Sequence, residues 1–208
     1  MRLKQYSVAN VMYDLGGTLT YSGEVPTWAV AKYLGLKFSQ AVRVWDEHVE
    51  DFFTGQINED KWWNFFMQES GRKADALLLD EIKRIHRRNF LGYPINLEVA
   101  RRIKSLGKYG TVIVTDSPSE WLDYLIQKDK LYNCADVIIS PRNTHMTKSN
   151  PEFFRYALNV LDAKPEETVF VNDFQKYVDI ASNLGIHAFR LKNPNKFQML
   201  MMRHVLKV

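Results

Sequence analysis

Residues 8–20 read VANVMYDLGGTLT, an apolar, β-branched run that ends on one acidic residue, Asp14, and turns at once through two glycines. Runs of the same kind recur as GTVIVTD at 110–116, ADVIIS at 135–140, ETVFVND at 167–173 and IHAFRL at 186–191. Between them, WLDYLIQKDKL, NPEFFRYALNVL and KYVDIASNLG repeat apolar residues at three- and four-residue spacing, the mark of amphipathic helices. This alternation predicts an α/β fold, a Rossmann-like parallel sheet with helices on both faces.

Sheets of that kind place ligand sites at the carboxyl ends of their strands, where the chain turns towards a helix. Those ends carry Asp14, Thr115 with Asp116, Ser140, and Asn172 with Asp173. Loop solubility explains some of this polarity. An acidic residue at the end of strand after strand points further, to a functional site.

Residues 22–91 have a different texture. TWAVAKYLG, FSQAVRVWDEHVEDFF, NEDKWWNFFMQES and KADALLLDEIKRIHRRNF are helical patterns broken at Gly35, Gly55 and Gly71, with little strand character. They predict an all-helical insertion of about four helices. The expected division is an α/β core of residues 1–20 and 92–208 with a helical domain of residues 21–91.

An apolar fraction of 46% over 208 residues is enough to fill a sizeable core, which argues against disorder. The formal charge of +4 suits an anionic ligand without specifying nucleic acid, and the basic run KRIHRRNF at 83–90 reads as the solvated face of a helix. No nucleic-acid partner is expected. One cysteine, Cys134, excludes an intramolecular disulfide and a cysteine-based metal cluster, and its apolar surroundings predict a buried, inert thiol. No apolar run reaches the length of a membrane span, so a cytoplasmic chain without a membrane partner is expected. His145, His187 and His204 show no metal-ligand spacing and read as structural. The methionines of NPNKFQMLMMRHVLKV are expected to seal a domain edge on a helix, with a homodimer surface as the alternative.

Four short motifs resemble those of the haloacid dehalogenase-like hydrolases. YDLGGTLT is similar to the family's DxDGT loop, and VIVTDS to its strand ending in Ser or Thr. MTKSNPEFF is similar to its lysine before a Pro-containing helix start, and VFVNDFQKYVDIASNLG to its acidic strand end and helix closing on Gly. The resemblance covers the whole core and implies a helical cap in the insertion. It makes Asp14 the nucleophile, and a carboxylate can form an acyl phosphate that splits hydrolysis into two easier steps. The N–H groups of Leu15, Gly16 and Gly17 are then expected to approach the phosphoryl oxygens. Thr115 is expected to donate its hydroxyl to another oxygen. Lys148 offsets developing charge and restrains Asp14, and Asp116 borders the phosphoryl site. Two acids beside one phosphate, Asp14 and Asp173, call for a hard cation such as Mg²⁺, and the resemblance implies the Gly16 carbonyl as its third protein ligand.

The sequence departs from the pattern twice. Gly16 stands where phosphatases of the family carry the acid that protonates the leaving group, a contribution worth about 10²–10⁴-fold. Substrate, water, Asp116, Tyr21 or His48 are the candidate substitutes. Tyr177 stands where the family often has a further Asp or Asn, with Asp179 two positions on. The cap aromatics, among them Trp45, Phe53 and Trp62, are expected in the cap core or its interface, while Tyr21 and Trp28 are the expected substrate contacts. The expected activity is a Mg²⁺-dependent phosphatase for a small phosphorylated metabolite. A metal-free 2-haloacid dehalogenase and a non-catalytic phospho-ligand or protein-binding member are the alternatives.

Overall fold

Five strands form one parallel sheet in the computed structural model, which describes residues 7–73 and 75–207. They are β1 (Asn10–Asp14), β2 (Gly110–Val114), β3 (Val137–Ile139), β4 (Thr168–Asn172) and β5 (His187–Arg190), in the order β3-β2-β1-β4-β5. All five residues of β1 are buried, as are all five of β4, so apolar residues stand on both faces and the alternation of a half-exposed strand is missing.

Register decides where the polar strand ends emerge. Asp14 pairs with Val114, Tyr13 with Val171 and Val114 with Ile139. Thr115, Ser140 and Asn172 therefore leave the sheet at one rim beside Asp14.

Between β1 and β2 run α1 (Glu24–Leu34), α2 (Phe38–Phe53), α3 (Glu59–Glu69), α4 (Ala76–Asn89) and α5 (Pro94–Ser105). Gly35 ends α1 in the left-handed region at φ 78°, which glycine adopts without steric cost. Asn58 caps α3 by accepting from the Lys61 N–H, and Asp75 caps α4 by accepting from the Leu78 N–H. The chain enters and leaves α1–α4 side by side. Thr20 and Gly92 form an antiparallel bridge, Tyr21 N–H donates to Leu91 O at 2.7 Å and Tyr93 N–H to Leu19 O at 2.8 Å.

The remaining helices are α6 (Ser119–Asp129), α7 (Pro141–Thr144), α8 (Pro151–Val160), α9 (Gln175–Asn183) and α10 (Phe197–Met201). Met12, Val112, Val114 and Phe170 pack on Phe153, Phe154 and Ala157 of α8 and Ala181 of α9. From the opposite face, Val11, Tyr13, Ile113, Val169 and Val171 join a second core that runs without interruption into α1–α4.

Trp121 of α6 is the hinge pin of that continuity. Its ring lies 4.2 Å from His86 and 5.0 Å from Phe52, centroid to centroid, and its Nε1 donates to Glu59 Oε1 at 2.9 Å. Trp63 Nε1 donates to the same oxygen at 3.1 Å, and Arg87 pairs with Oε2 at 2.7 Å. Glu59 is buried yet fully partnered, which is the condition under which a buried carboxylate is tolerated.

The basic run of α4 is largely committed to ion pairs, Lys83 with Asp60, Arg84 with Glu81 and Arg87 with Glu59. Cys134 is buried, and burial pushes its thiol up to about 11. His187 Nε2 lies 2.9 Å from Glu166 O, and His204 stacks on Phe189 at 4.0 Å. The expected C-terminal helix is shorter than its pattern: α10 gives way to a π-helical turn at Met202–Leu206. Among the described residues, no helix is long and apolar enough to cross a membrane.

Candidate active site

The loop after β1 is wound tightly around the Leu15 carbonyl, which accepts N–H groups from Leu19 and Thr20 at 2.9 Å each. Gly17 turns the loop at φ +76°, and a Cβ built there would lie 2.0 Å from Asp173 Oδ2. Only glycine lets the Asp173 carboxylate approach so closely. The same turn corrects one expectation: the Gly17 N–H donates to Thr20 O at 2.7 Å, so it closes the loop and is not available to an anion. Gly16 is less constrained. A Cβ there would meet Ser22 Cα at 3.4 Å, an ordinary contact, and its carbonyl accepts no hydrogen bond among the described residues.

Asp14 is 2% exposed, and its Oδ1 accepts a short hydrogen bond from Lys148 Nζ. Asp116 Oδ1 accepts from the Lys148 backbone N–H at 2.8 Å, which anchors the segment before α8 and gives Asp116 a structural partner. Thr115 Oγ1 accepts from Ser117 N–H at 3.0 Å, leaving its own proton to donate. At the end of β4, Asn172 Oδ1 accepts from Phe174 N–H at 2.6 Å and fixes the turn that carries Asp173. Tyr177, on the first turn of α9, lays its ring 4.8 Å from Lys148 Nζ, a cation–π contact. Burial and Asp116 push the Tyr177 phenol up to about 12.

Lys148 thus stands among three carboxylates, with Arg190 donating to the Asp173 carbonyl at 3.1 Å. Burial pushes Asp14 up to about 7, with Lys148 pulling it down and Asp173 and Asp116 pushing it further up. Asp173 is raised too, chiefly by burial, with Lys148 opposing. Burial works against the Lys148 charge, but Asp14 and Asp116 outweigh it and hold the ammonium protonated. The site is short of positive charge.

A hard divalent cation fits that deficit. Asp14 and Asp173 would offer carboxylate oxygens and Gly16 a carbonyl that accepts no hydrogen bond among the described residues, all oxygen donors of the kind Mg²⁺ takes. Among the described residues no group of three or more His, Cys, Asp or Glu side chains forms a metal cluster, so a cation here would depend on that carbonyl.

A cavity of about 480 Å³ opens onto Asp14, Gly16, Thr115, Asp116, Lys148 and Asp173. Tyr21, Trp28 and His48 do not line it. Tyr21 packs at a tilt on Tyr93 at 4.9 Å, Trp28 edge-on against Phe38 at 5.4 Å, and His48 stacks on Phe65 at 3.6 Å. The aromatics nearest Asp14 in sequence, expected as substrate contacts, are thus engaged in packing outside the cavity, and Trp45, Val49 and Phe53 of α2 line it instead.

A family model described as haloacid dehalogenase-like hydrolase matches residues 8–184. The chain belongs to that family. Among curated relatives, pyrophosphatase PpaX of Bacillus cereus is 35% identical over 181 residues, which cover 86% of this chain and 80% of that protein. Bifunctional epoxide hydrolase 2 of Sus scrofa is 26% identical over 200 residues, 84% of this chain but 35% of that protein, so the chain spans about a third of this relative's length. A HAD family enzyme of Bacteroides thetaiotaomicron superposes with a TM-score of 0.79 at 16% identity, over 94% of this chain and 98% of that one. Another structure of that enzyme, a complex with magnesium and inorganic phosphate, gives 0.73 at 16% identity over 88% and 94%. At such identity the likeness establishes the fold.

As a haloacid dehalogenase-like hydrolase, the chain brings its four motifs to one cavity from strand ends more than 150 residues apart, Asp14 to Asp173. Two contacts escaped the sequence. Tyr177 is legible as a departure from the motif, but nothing in the chain signals that its ring supports Lys148. Glu24, which also lines the cavity and is raised chiefly by burial, then by Asp173 and Asp46, opens α1 without any motif around it.

Proposed function

We propose that this hydrolase is a Mg²⁺-dependent phosphatase acting on a small phosphorylated metabolite, with Asp14 as nucleophile. The observation that carries the reading is the convergence of Asp14, Thr115, Lys148 and Asp173 on one cavity, three of them 2–4% exposed. An Asp14 oxygen attacks phosphorus, the bond to the leaving oxygen breaks, and water then releases inorganic phosphate and restores the carboxylate. Lys148 holds Asp14 in line and offsets charge on the phosphoryl oxygens, and Thr115 donates a hydrogen bond to one of them. Asp14, the Gly16 carbonyl and Asp173 would hold Mg²⁺, which when bound would offset the charge of phosphate and carboxylates. Gly16 has no proton to transfer, so the leaving oxygen departs without help from that position.

Residues 21–91 act as the cap in this reading, with boundaries where Thr20 and Gly92 pair. The magnesium and phosphate complex of the Bacteroides enzyme and the 35% identical pyrophosphatase relative support phosphoryl chemistry, while (S)-2-haloacid dehalogenase 4A of Burkholderia cepacia, 24% identical over 54% of this chain, keeps dehalogenation as the second reading. The test is phosphate release from a panel of phosphate esters with Mg²⁺ or with chelator. Turnover that needs millimolar Mg²⁺ and disappears in Asp14→Asn is expected. Halide release from 2-haloacids without metal, or indifference to chelator, would contradict the reading.

A further inference from the structure

We propose that the substrate is a phosphate monoester of a small, uncharged phenol, and that Trp45, Val49 and Phe53 set this preference. The proposal rests on the phosphatase reading and deepens it. Two independent features of the same cavity converge on it.

The first is the wall opposite the reacting groups. Trp45, Val49 and Phe53 stand at i, i+4 and i+8 on α2, so one face of the helix presents them together, and all three line the cavity that holds Asp14 and Lys148. Each is half-buried. The wall is also rigid, since Trp45 packs on Trp28 at 5.7 Å, Trp62 at 5.4 Å and Phe53 at 6.2 Å. Phe174, 54% exposed, and Pro118 face it from the core side. Against further anionic charge stand the carboxylates of Glu24 and Glu50, while Lys176, whose Nζ donates to Ser149 Oγ at 3.0 Å, and Ser117 Oγ, unpartnered among the described residues, are polar groups left in the cavity.

The second feature is Gly16. Without an acid at that position the leaving oxygen loses the proton donor that would stand nearest Asp14. A phenol, ionising at about 10 as tyrosine does, tolerates this far better than an aliphatic alcohol. The P–O bond to the aryl oxygen breaks as Asp14 attacks, the phenolate takes a proton from water, and a second water cleaves the acyl phosphate. The products are the phenol and inorganic phosphate.

Binding and chemistry are tested separately. With Mg²⁺ present, calorimetry on the wild-type protein should find phenylphosphonate, which cannot be hydrolysed, bound at least about tenfold more tightly than methylphosphonate. The ratio should fall towards one in Phe53→Asn and in the milder Val49→Thr, which keeps the β-branched shape if the first variant fails to fold. Equal binding of the two phosphonates to the wild type, or faster turnover of pyrophosphate than of phenyl phosphate, would overturn the proposal. In kinetics, phenyl phosphate should exceed glycerol phosphate in kcat, and Gly16→Asp, for which Cβ has room, should narrow that gap by raising the aliphatic rate. An unchanged gap would refute the leaving-group argument. Selective phenylphosphonate binding with no ester hydrolysed would sink the phosphatase reading and leave the apolar wall standing, whereas hydrolysis without aryl preference would sink the present inference alone.

Discussion

The carboxylate of Asp173 occupies the space that any side chain at Gly17 would need, with 2.0 Å between its Oδ2 and a Cβ built on the glycine. Two residues 156 positions apart in the chain therefore constrain each other directly. Gly17→Ala must move Asp173 as well as force a non-glycine residue to φ +76°, so a loss of about 1–3 kcal/mol in stability is expected. Urea denaturation measures the first effect, and Mg²⁺ titration of activity the second, which should require higher Mg²⁺. A variant with unaltered stability and Mg²⁺ response would mean that the contact is not maintained in solution.

Lys148 and Asp14 are both buried and paired, and breaking such a pair from one side costs about 3–5 kcal/mol because the other charge is left uncompensated. Lys148→Met should be destabilised by that order at pH 8. The loss should shrink as pH falls, because a carboxyl whose folded pKa is raised takes up a proton and the neutral form tolerates burial. Adding Asp14→Asn should recover part of the loss, which a double-mutant cycle in denaturant would read directly. Additive losses would deny the pairing.

Burial raises Asp14 to about 7, despite Lys148, and a nucleophilic carboxylate must be ionised. At low Mg²⁺ the acid limb of the rate should therefore fall away near pH 7. A bound cation favours the carboxylate, so the limb should move to lower pH as Mg²⁺ rises. The pH dependence of kcat/KM at two Mg²⁺ concentrations checks this, and a limb that does not move would argue against a cation on Asp14.

His86 is buried with Nε2 unpartnered among the described residues, its ring against Trp121, and its pKa is held well below the usual value by burial and by Arg87. The unfolded chain binds this proton first. Stability is therefore fully present above the ordinary histidine value of about 6.5 and declines as pH falls below it, by up to about 1.4 kcal/mol per pH unit. His86→Phe should flatten that decline in a Tm-against-pH series, and an unchanged slope would assign the acid sensitivity elsewhere.

What could be read from the chain follows from how local each signal is. The buried strands announce themselves as apolar runs because both faces of β1 and β4 are covered, and polar residues at their ends mark the rim where Asp14, Thr115 and Asp173 meet. The helices of the insertion carry their own caps in Asn58 and Asp75. Tertiary choices are silent in sequence. Nothing around Glu59 in the chain signals that two indoles and Arg87 surround it. Gly17 looks like an anion-binding N–H until its partner Thr20 is placed. The cavity wall is hidden because nearness to Asp14 in sequence favours Trp28 of α1, whereas the fold packs that ring on Phe38 and Trp45 and gives the wall to α2.

The proposed chemistry stands on a covalent bond between Asp14 and phosphorus. The direct measurement is acid-quenched single turnover with phenyl phosphate and Mg²⁺, followed by mass spectrometry of the peptide that contains Asp14. A phosphoryl group on Asp14, formed and lost at the rate of turnover and absent in Asp14→Asn, is the expected result. Phosphate release that persists in Asp14→Asn, or that proceeds with no phosphorylated Asp14 at any time, would contradict it.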